Sequence, residues 1–542
     1  MSALARYFHT VRHLRPVQVA ARVRRLLPGP RPDLRPAPSP RARPGPYAAP
    51  IAPEPSLIAP DVVRLLGVER RCAQAADWLP ADADKLWVYN LHYFDDLNAR
   101  DAPRRRDWHA RLLSRWVVEN PPGAGDGWEP YPVSRRIVNW VRWAVQGHAL
   151  PLAAQASLAV QARWLARRLE YHLLGNHLLA NAKALMHAGL YFEGSEAQAW
   201  YEKGLQLFGT QLTAQLLADG GHFELSPMYH AAVLEDVLDA INLLKAYHLE
   251  IPRAWPASAA AMRRWLAVMS HPDGEISFFN DAAFGISAPL AALDDYAARL
   301  GLPPPAAITG AVVALEPSGY VRLALGSAQL LCDCAPVGPD FLPGHAHADT
   351  LSFELSLAGR RVLVNSGTSR YGTGVERQRQ RATAAHNTVV VDGRDSSEVW
   401  GGFRVARRAR PRLLHLAPGP PAVLEASHDG YQRLPGRNLH RRRWVLQRDS
   451  LEITDHVSGD FGRAAAFFYL HPDVTVAATG PEFVLTLPGF GAVSVGFDAG
   501  AAVEVLSGTW HPRFGAAVPN RCLKASFSAP MLATRFAWTA GQ

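Results

Sequence analysis

From about residue 57 to about residue 300, apolar residues recur every three or four positions. The segments DWHARLLSRWVVEN, RRIVNWVRWAVQG, LAAQASLAVQARWLARRLEYHLLGNHLLANAKALMHAGLYF and AAVLEDVLDAINLLKAYHL each carry one apolar stripe, as amphipathic helices do. Loops bearing Pro and Gly separate them, and strand-like runs are scarce. This predicts an array or toroid of antiparallel helices over residues 57–305. From about residue 306 the period shortens. SGYVRLALGSAQLLCDC, TLSFELSLAGRRVLVNSG, HNTVVVDG, RRRWVLQRDSLEITDHV, AAFFYLHPDVTVAA and FVLTLPGFGAVSVGF are short, alternating runs rich in β-branched and aromatic residues. They predict an antiparallel β-sandwich or stacked sheets over residues 306–542. The chain therefore reads as multidomain, α first and β second.

Residues 28–56 hold so much proline that helix interiors and central strands are excluded, leaving an extended chain laid over a surface or a linker. With the arginine-rich stretch before them they form a basic Arg/Pro segment, residues 1–56. The formal net charge is +9. Residues 1–46 contain ten Arg against one acid, Asp33, which accounts for all of it. The body of the protein is neutral and carries no general attraction for nucleic acid. No run approaches the roughly 18 apolar residues of a membrane span. The opening MSALARYFHTVRHLRPVQVAARVRRLLPGP has no uninterrupted apolar core and no small-residue cleavage site, so no secretory signal is read and the sequence alone points to the cytoplasm. Leu4, Tyr7, Phe8, Val11 and Leu14 among arginines predict a short basic amphipathic helix. It packs on its own domain, the preferred reading, or makes peripheral contact with a membrane surface. The four cysteines include no CxxC pair, which argues against a cysteine zinc site.

Polar density inside apolar context marks the chemistry. In 343-PGHAHADTLSFELSL-357, His345, His347 and Asp349 alternate in phase with Leu351, Phe353, Leu355 and Leu357, so one strand face begins with two imidazoles and a carboxylate. That is either metal or acid–base chemistry, or a polar turn. His345 or His347, together with Asn365 and His386, would converge from neighbouring strands on one cation. In 175-GNHLLANAKAL-185, Asn176 caps a helix or, paired with His177, grips a carboxylate. In 220-GGHFELSPMYH-230, Pro227 fits the first turn of a helix, and Tyr229 either reaches into a cleft or packs as an ordinary aromatic. Arg136 and Asn139 in 127-GWEPYPVSRRIVNWVRW-143, and Tyr371 in SGTSRYG, are candidate substrate contacts. The run 376-ERQRQR-381 reads as a solvated basic loop.

GNHLLANAKAL, GGHFELSPMYH, GHAHADTLSFEL, VLVNSGTSRYG and TAAHNTVVVDG, in this order, resemble the motif series of the heparinase II/III-like polysaccharide lyases, to which the oligoalginate lyases are related. The resemblance covers roughly residues 60–520. It implies an incomplete α/α toroid followed by antiparallel β-sheets, with a cleft between them that cleaves uronic-acid-containing polysaccharides by β-elimination. On matching positions, Asn176 and His177 would hold the uronate carboxylate. Tyr229 would serve as acid/base with His345 as its partner. His347, Asn365 and His386 fall where some relatives bind a structural zinc ion, with Asp349 as an outer carboxylate. Relatives place Asp where this chain has Asn365, which weakens the expected metal. The implied partner is an acidic polysaccharide, and the implied location is the periplasm or cell envelope. Two rival readings stand beside this one. The first is a metal-dependent hydrolase built on His345, His347 and Asp349. The second is a non-catalytic polysaccharide-binding protein associated with polysaccharide biosynthesis.

Overall fold

The computed structural model describes residues 3–42 and 45–539. Its helices are α1 (Ala3–Val11), α2 (Pro16–Arg24), α3 (Lys85–Leu91), α4 (Arg106–Glu119), α5 (Pro130–Val145), α6 (Leu152–Ala166), α7 (Gly175–Tyr191), α8 (Ser195–Gln215), α9 (Pro227–Ala246), α10 (Ala254–Val268), α11 (Leu290–Arg299) and α12 (Val375–Arg381). The helices from α3 to α11 form the first half in two layers. α5, α7 and α9 lie side by side, while α6, α8 and α10 pack against them from outside. The sequence explains the sorting. α7 is buried along nearly its whole length from Leu178 to Tyr191, as an inner helix must be. α8 buries one stripe, Ala197, Trp200, Gly204, Phe208 and Leu212, and leaves the other side to solvent.

The predicted helical range requires one correction. Residues 57–71 form a three-stranded antiparallel sheet, Leu57–Ala59, Val62–Leu65 and Val68–Arg71. Val62, Val63 and Val68 favour strands, and Leu66 and Gly67, with φ of 51° and 77°, make the two-residue turn that joins the last two. The amino-terminal segment also gains detail. After α1 and α2, the proline-rich stretch runs extended across the ends of the inner helices. Arg41 N–H donates to Tyr191 O at 2.7 Å, and Gly45 N–H donates to Ala246 O at 2.8 Å.

The second half is antiparallel β-structure. A five-stranded sheet runs in chain order from Val312–Leu315 to Arg360–Leu363. An eight-stranded sheet and a four-stranded sheet follow, and one hydrophobic core joins all three. The two halves are welded by shared apolar clusters. Ile276 and Phe278 pack with Val364, Trp510 and Phe514, while Leu225, Trp265 and Phe279 pack with Tyr320 and Leu331. These contacts leave a polar seam at the starts of α7 and α9, opposite the loops that carry residues 343–349 and 367–386.

Candidate active site

α7 begins with two left-handed residues, Leu174 at φ 68° and Gly175 at φ 57°. Glycine is required at 175 because a β-carbon there would lie 2.4 Å from Glu224 Oε1. Asn176 therefore does not cap the helix with its side chain. Its backbone N–H and its Nδ2 both donate to the Glu224 carboxylate at 3.2 Å. His177 hydrogen-bonds Glu170 through Nδ1 at 3.1 Å, and its ring lies 4.6 Å from that of Tyr131. Burial would lower its pKa, but the Glu170 carboxylate outweighs that and holds it above the ordinary histidine value.

α9 starts as the sequence predicts. Ser226 caps it by accepting the Tyr229 N–H at 3.2 Å, and Pro227 occupies the first turn. Tyr229 then projects toward the β half. Its hydroxyl is 2.7 Å from that of Tyr371, and its ring stacks on His345 with centroids 3.9 Å apart. His345 Nδ1 is 2.9 Å from Asp281 Oδ2, so this nitrogen carries the proton and donates it to the carboxylate. Nε2 is left facing the cleft, 3.6 Å from Glu224 Oε2. Burial, then the neighbouring Tyr371 and Asp281, push the Tyr229 phenol well above its ordinary pKa, and burial does the same for Tyr371. Both phenols are therefore proton donors, not phenolates, near neutral pH.

Asp281 organises this wall. It is fully buried and accepts from His345, from His347 Nε2 at 2.9 Å, from Thr368 Oγ1 at 3.2 Å and from Arg377 Nη2 at 2.8 Å. Burial alone would raise its pKa, but Arg377 and the two histidines hold it well below the carboxylate range. Backbone strain surrounds the constellation. Leu174, Leu225 and Asn280 all have positive φ and stand next to or near Asn176, Glu224 and Asp281. Such conformations cost on the order of 1–3 kcal/mol each and persist only where the surroundings dictate them.

The candidate metal set changes membership. His347, Asp349 and His386 bring one donor atom each within 4.8 Å of one another. His386 Nδ1 donates to Ala382 O at 2.8 Å, and His347 Nε2 donates to Asp281. The remaining nitrogens, His347 Nδ1 and His386 Nε2, thus turn lone pairs toward each other across 3.1 Å. Two such acceptors need a cation or a proton between them. A zinc ion with Zn–N bonds of ~2.0–2.1 Å at a tetrahedral angle would hold its nitrogens about 3.3 Å apart, so the donors fit. Asn365, expected as a ligand, has its amide engaged by protein partners. Its amide donates to Ser352 Oγ at 3.3 Å and accepts from Asn387 N–H at 3.0 Å, tying two strands together. Asp349, expected behind the ligands, brings a carboxylate oxygen up to the two imidazoles, with its Oδ2 fixed by the Asn280 N–H at 2.9 Å.

Two of the three expected substrate contacts are also corrected. Arg136 is fully buried, with its guanidinium 3.8 Å above the Trp116 ring and Nε on Gln161. Asn139 is buried and donates to Tyr93 O and Asp95. Both pack the helical core. One position earlier, Arg135 is partly exposed and pairs at 3.1 Å with the same Asp95 that Asn139 holds. Tyr371, the third, does reach the cleft. The run 376-ERQRQR-381 is helix α12 and not a solvated loop: Arg377 and Arg381 are fully buried, Arg377 on Asp281 and Arg381 on Ala346 O. Glu224, Asp281 and Arg377 were missed in the sequence. Glu224 lies inside the motif that yielded Tyr229, and the carboxylate in the apolar run FFNDAAF was a readable sign of Asp281. Nothing in the sequence marked Arg377.

Comparison with known proteins places this geometry. Residues 99–297 match the model of the heparinase II/III N-terminus, and residues 307–539 match that of the heparinase II/III-like C-terminal domain. The chain belongs to the heparinase II/III-like family. Among family relatives, the heparin-sulfate lyase of Bacteroides stercoris is 26% identical over 334 residues, 57% of this chain and 47% of that protein. The chain thus spans about half the length of that lyase, and the same holds for the Pedobacter heparinus enzyme, at 49%. The FtsZ-localized protein C of Caulobacter vibrioides is 26% identical over 457 residues, 75% of this chain and 74% of its own. The crystal structure of Heparinase III shares the fold, with a TM-score of 0.71 at 18% identity over 86% of this chain and 79% of that one. The α-then-β order is thus common to this heparinase II/III-like chain and that structure.

Proposed function

We propose that this protein cleaves uronic-acid-containing polysaccharides by β-elimination in the seam between its halves. One observation carries the reading: Asn176, Tyr229, His345 and Tyr371, from helices and loops far apart in sequence, meet at one buried, partly open point. Elimination removes the proton at C5, which is barely acidic while the adjacent carboxylate keeps its charge. The Asn176 amide and the His177 imidazolium are suited to neutralise that carboxylate. In the free protein Glu224 occupies the Asn176 amide, so an incoming uronate takes the place of an internal carboxylate. His345, with its proton held on Nδ1 by Asp281, offers Nε2 as base. Tyr229, kept protonated by burial, donates to the departing oxygen at C4. Arg135 and Tyr131 offer an anion partner and an aromatic face along the helical wall. His347, Asp349 and His386 would hold one zinc ion, whose chemistry is to neutralise the facing donors and clamp their loops together. The lyase names of two relatives agree with this scheme.

A second reading, a polysaccharide-binding protein without turnover, is favoured by a single observation. The relative that matches the largest share of this chain bears a name that states a location and no reaction. One experiment separates the two. The protein is mixed with a panel of uronate polymers, heparan sulfate, chondroitin sulfate and alginate among them, and the ultraviolet absorbance of a C4–C5 double bond is followed. The expected result is unsaturated product from at least one polymer, with Tyr229→Phe slower by a factor on the order of 10²–10⁴ and folded as the wild type is. Polymer binding without unsaturated product would establish the second reading.

A further inference from the structure

We propose that α1 and α2 together form a docking surface for an anionic lipid bilayer. Both helices are amphipathic in the reverse sense of a packed helix. In α1, Leu4, Phe8 and Val11 follow one another at the spacing of a single helical stripe, and they are 83%, 59% and 50% exposed. Val19, Val23 and Leu26 repeat the pattern along and just beyond α2, at 47%, 59% and 85%. The sides turned toward the body are instead polar or aromatic. Gln18 Nε2 donates to Phe341 O at 3.2 Å, Trp400 Nε1 donates to Thr10 Oγ1 at 3.1 Å, and the Tyr7 ring meets the Trp400 ring edge-on. The helices are thus held in place by these contacts while their apolar stripes face outward. Ten of the 22 large apolar side chains exposed on the described residues lie between Leu4 and Leu34. So dense a patch marks a contact surface.

Charge selects the occupant. Arg6, Arg12, Arg15, Arg22, Arg24 and Arg25 surround the stripes, and no acid precedes Asp33. A second copy of this face would set arginine against arginine. A soluble polyanion would satisfy the arginines and leave the apolar stripes wet. A bilayer with anionic headgroups satisfies both, the arginines at the phosphates and the stripes below them. The placement matters as well. α2 rests on the loop at Phe341 and α1 on Trp400, and the neighbouring Phe403 lies edge-on to His345 with centroids 6.0 Å apart. Docking would therefore bring the seam close to the membrane surface. The proposal stands apart from the lyase reading, because lipid binding does not require turnover.

The test is co-sedimentation of the full chain with phosphatidylcholine vesicles, with and without phosphatidylglycerol. We expect binding only to the anionic vesicles, weakened by salt. The bound-to-free ratio should fall about tenfold or more in the triple variant Leu4→Glu/Phe8→Glu/Val23→Glu, and likewise in Arg12→Glu/Arg22→Glu. All of these side chains are exposed, so thermal melting should match the wild type, and the single variant Phe8→Ser gives a milder check. Absence of vesicle binding overturns the proposal. Vesicle binding that both multiple variants retain does so too. Self-association that the triple variant abolishes, without lipid binding, would assign the face to a second copy. Heparin binding lost in the arginine variant but kept in the apolar one, again without lipid binding, would assign it to a polyanion.

Discussion

Two buried aspartates do the same electrostatic work in the two regions of this molecule, with different results. Asp239, on α9, accepts from Arg142 on α5, Lys183 on α7 and the Tyr296 hydroxyl on α11. Burial would raise its pKa, and the two cations more than offset that and hold it below the carboxylate range. All its partners are helical, and none of them touches Tyr229 or His345. Asp281 lies in the loop between α10 and α11, yet the side chains it holds, His345, His347, Thr368 and Arg377, all belong to the β half. The first aspartate sets the distances among helices. The second fastens the reacting wall to the helical scaffold. A buried carboxylate is thus no sign of function by itself; what it holds decides.

Replacing either aspartate sharpens this contrast and should give the largest effect. Asp239→Asn and Asp281→Asn should each cost about 3–5 kcal/mol, read by chemical denaturation, because each removes the carboxylate that a buried arginine pairs with most closely. Only Asp281→Asn should also slow elimination by the folded protein, by a factor on the order of 10²–10⁴, since His345 loses the acceptor that fixes its proton on Nδ1. Equal specific activity in the two folded variants would break the comparison.

The next effect concerns the β half alone. Zinc at a hundredfold excess over its dissociation constant should stabilise the protein by about 2.7 kcal/mol, and a chelator should remove that gain. His386→Ala should abolish the response, while Asn365→Ala should keep it, because Asn365 faces Ser352 and Asn387. Elemental analysis without zinc in the wild type would refute the site.

The smallest effect per group is one of pH. Burial pushes His92, His187 and His230 down to about 3, and His222 to about 4. Their partners are backbone carbonyls, an indole and an amide, with no carboxylate among them. The β half holds such groups too: burial pushes His347 down to about 4 and His428 well below the ordinary histidine value, although His347 and His440 rest on Asp281 and Asp455. A depressed histidine stabilises fully above its unfolded pKa of about 6.5. It loses that contribution as pH falls toward the folded value, at up to about 1.4 kcal/mol per pH unit and group. The helical half should therefore lose stability as pH falls from ~6.5 to ~4. Tryptophan fluorescence reports that half, since eleven of the 15 tryptophans precede residue 300. A denaturation midpoint, read by tryptophan fluorescence, that stays constant from pH ~6.5 to ~4 would contradict this.

The architecture was legible because each half keeps one hydrophobic period over a long stretch. The small sheet at residues 57–71 was not, because its strands are three or four residues long and carry hardly one cycle of alternation. Asn176, Tyr229 and His345 were legible because they stand in short motifs at helix starts or strand entrances, and the structure brings them together. Arg136 misled because adjacent positions on a helix face in different directions, and the sequence does not say which of Arg135 and Arg136 turns inward; Asn139 misled because its amide is taken up by Tyr93 O and Asp95. The hydrogen bonds of Asn365 to Ser352 and Asn387 were not legible, because a motif gives a position in the chain and not where the side chain points. Asp281 and Arg377 form a pair across the two halves, 96 residues apart. Only the fold makes that pair.

The proline-rich strap at residues 28–56 has a mechanical consequence. It leaves α2 and then engages the rest of the helical half by small bonds placed side by side. Arg163 grips Arg35 O and Pro36 O, Arg41 reaches Leu190 O and Tyr191 O, and Ala48 exchanges bonds with Asn242. A pull on the amino-terminal helices would load these bonds in shear, several at once, and not peel them one by one. The force would enter the far ends of α7 and α9, whose near ends carry Asn176 and Tyr229, before it reached any strand. The strap thus ties the amino-terminal helices, like a tendon, to the two helices that carry Asn176 and Tyr229.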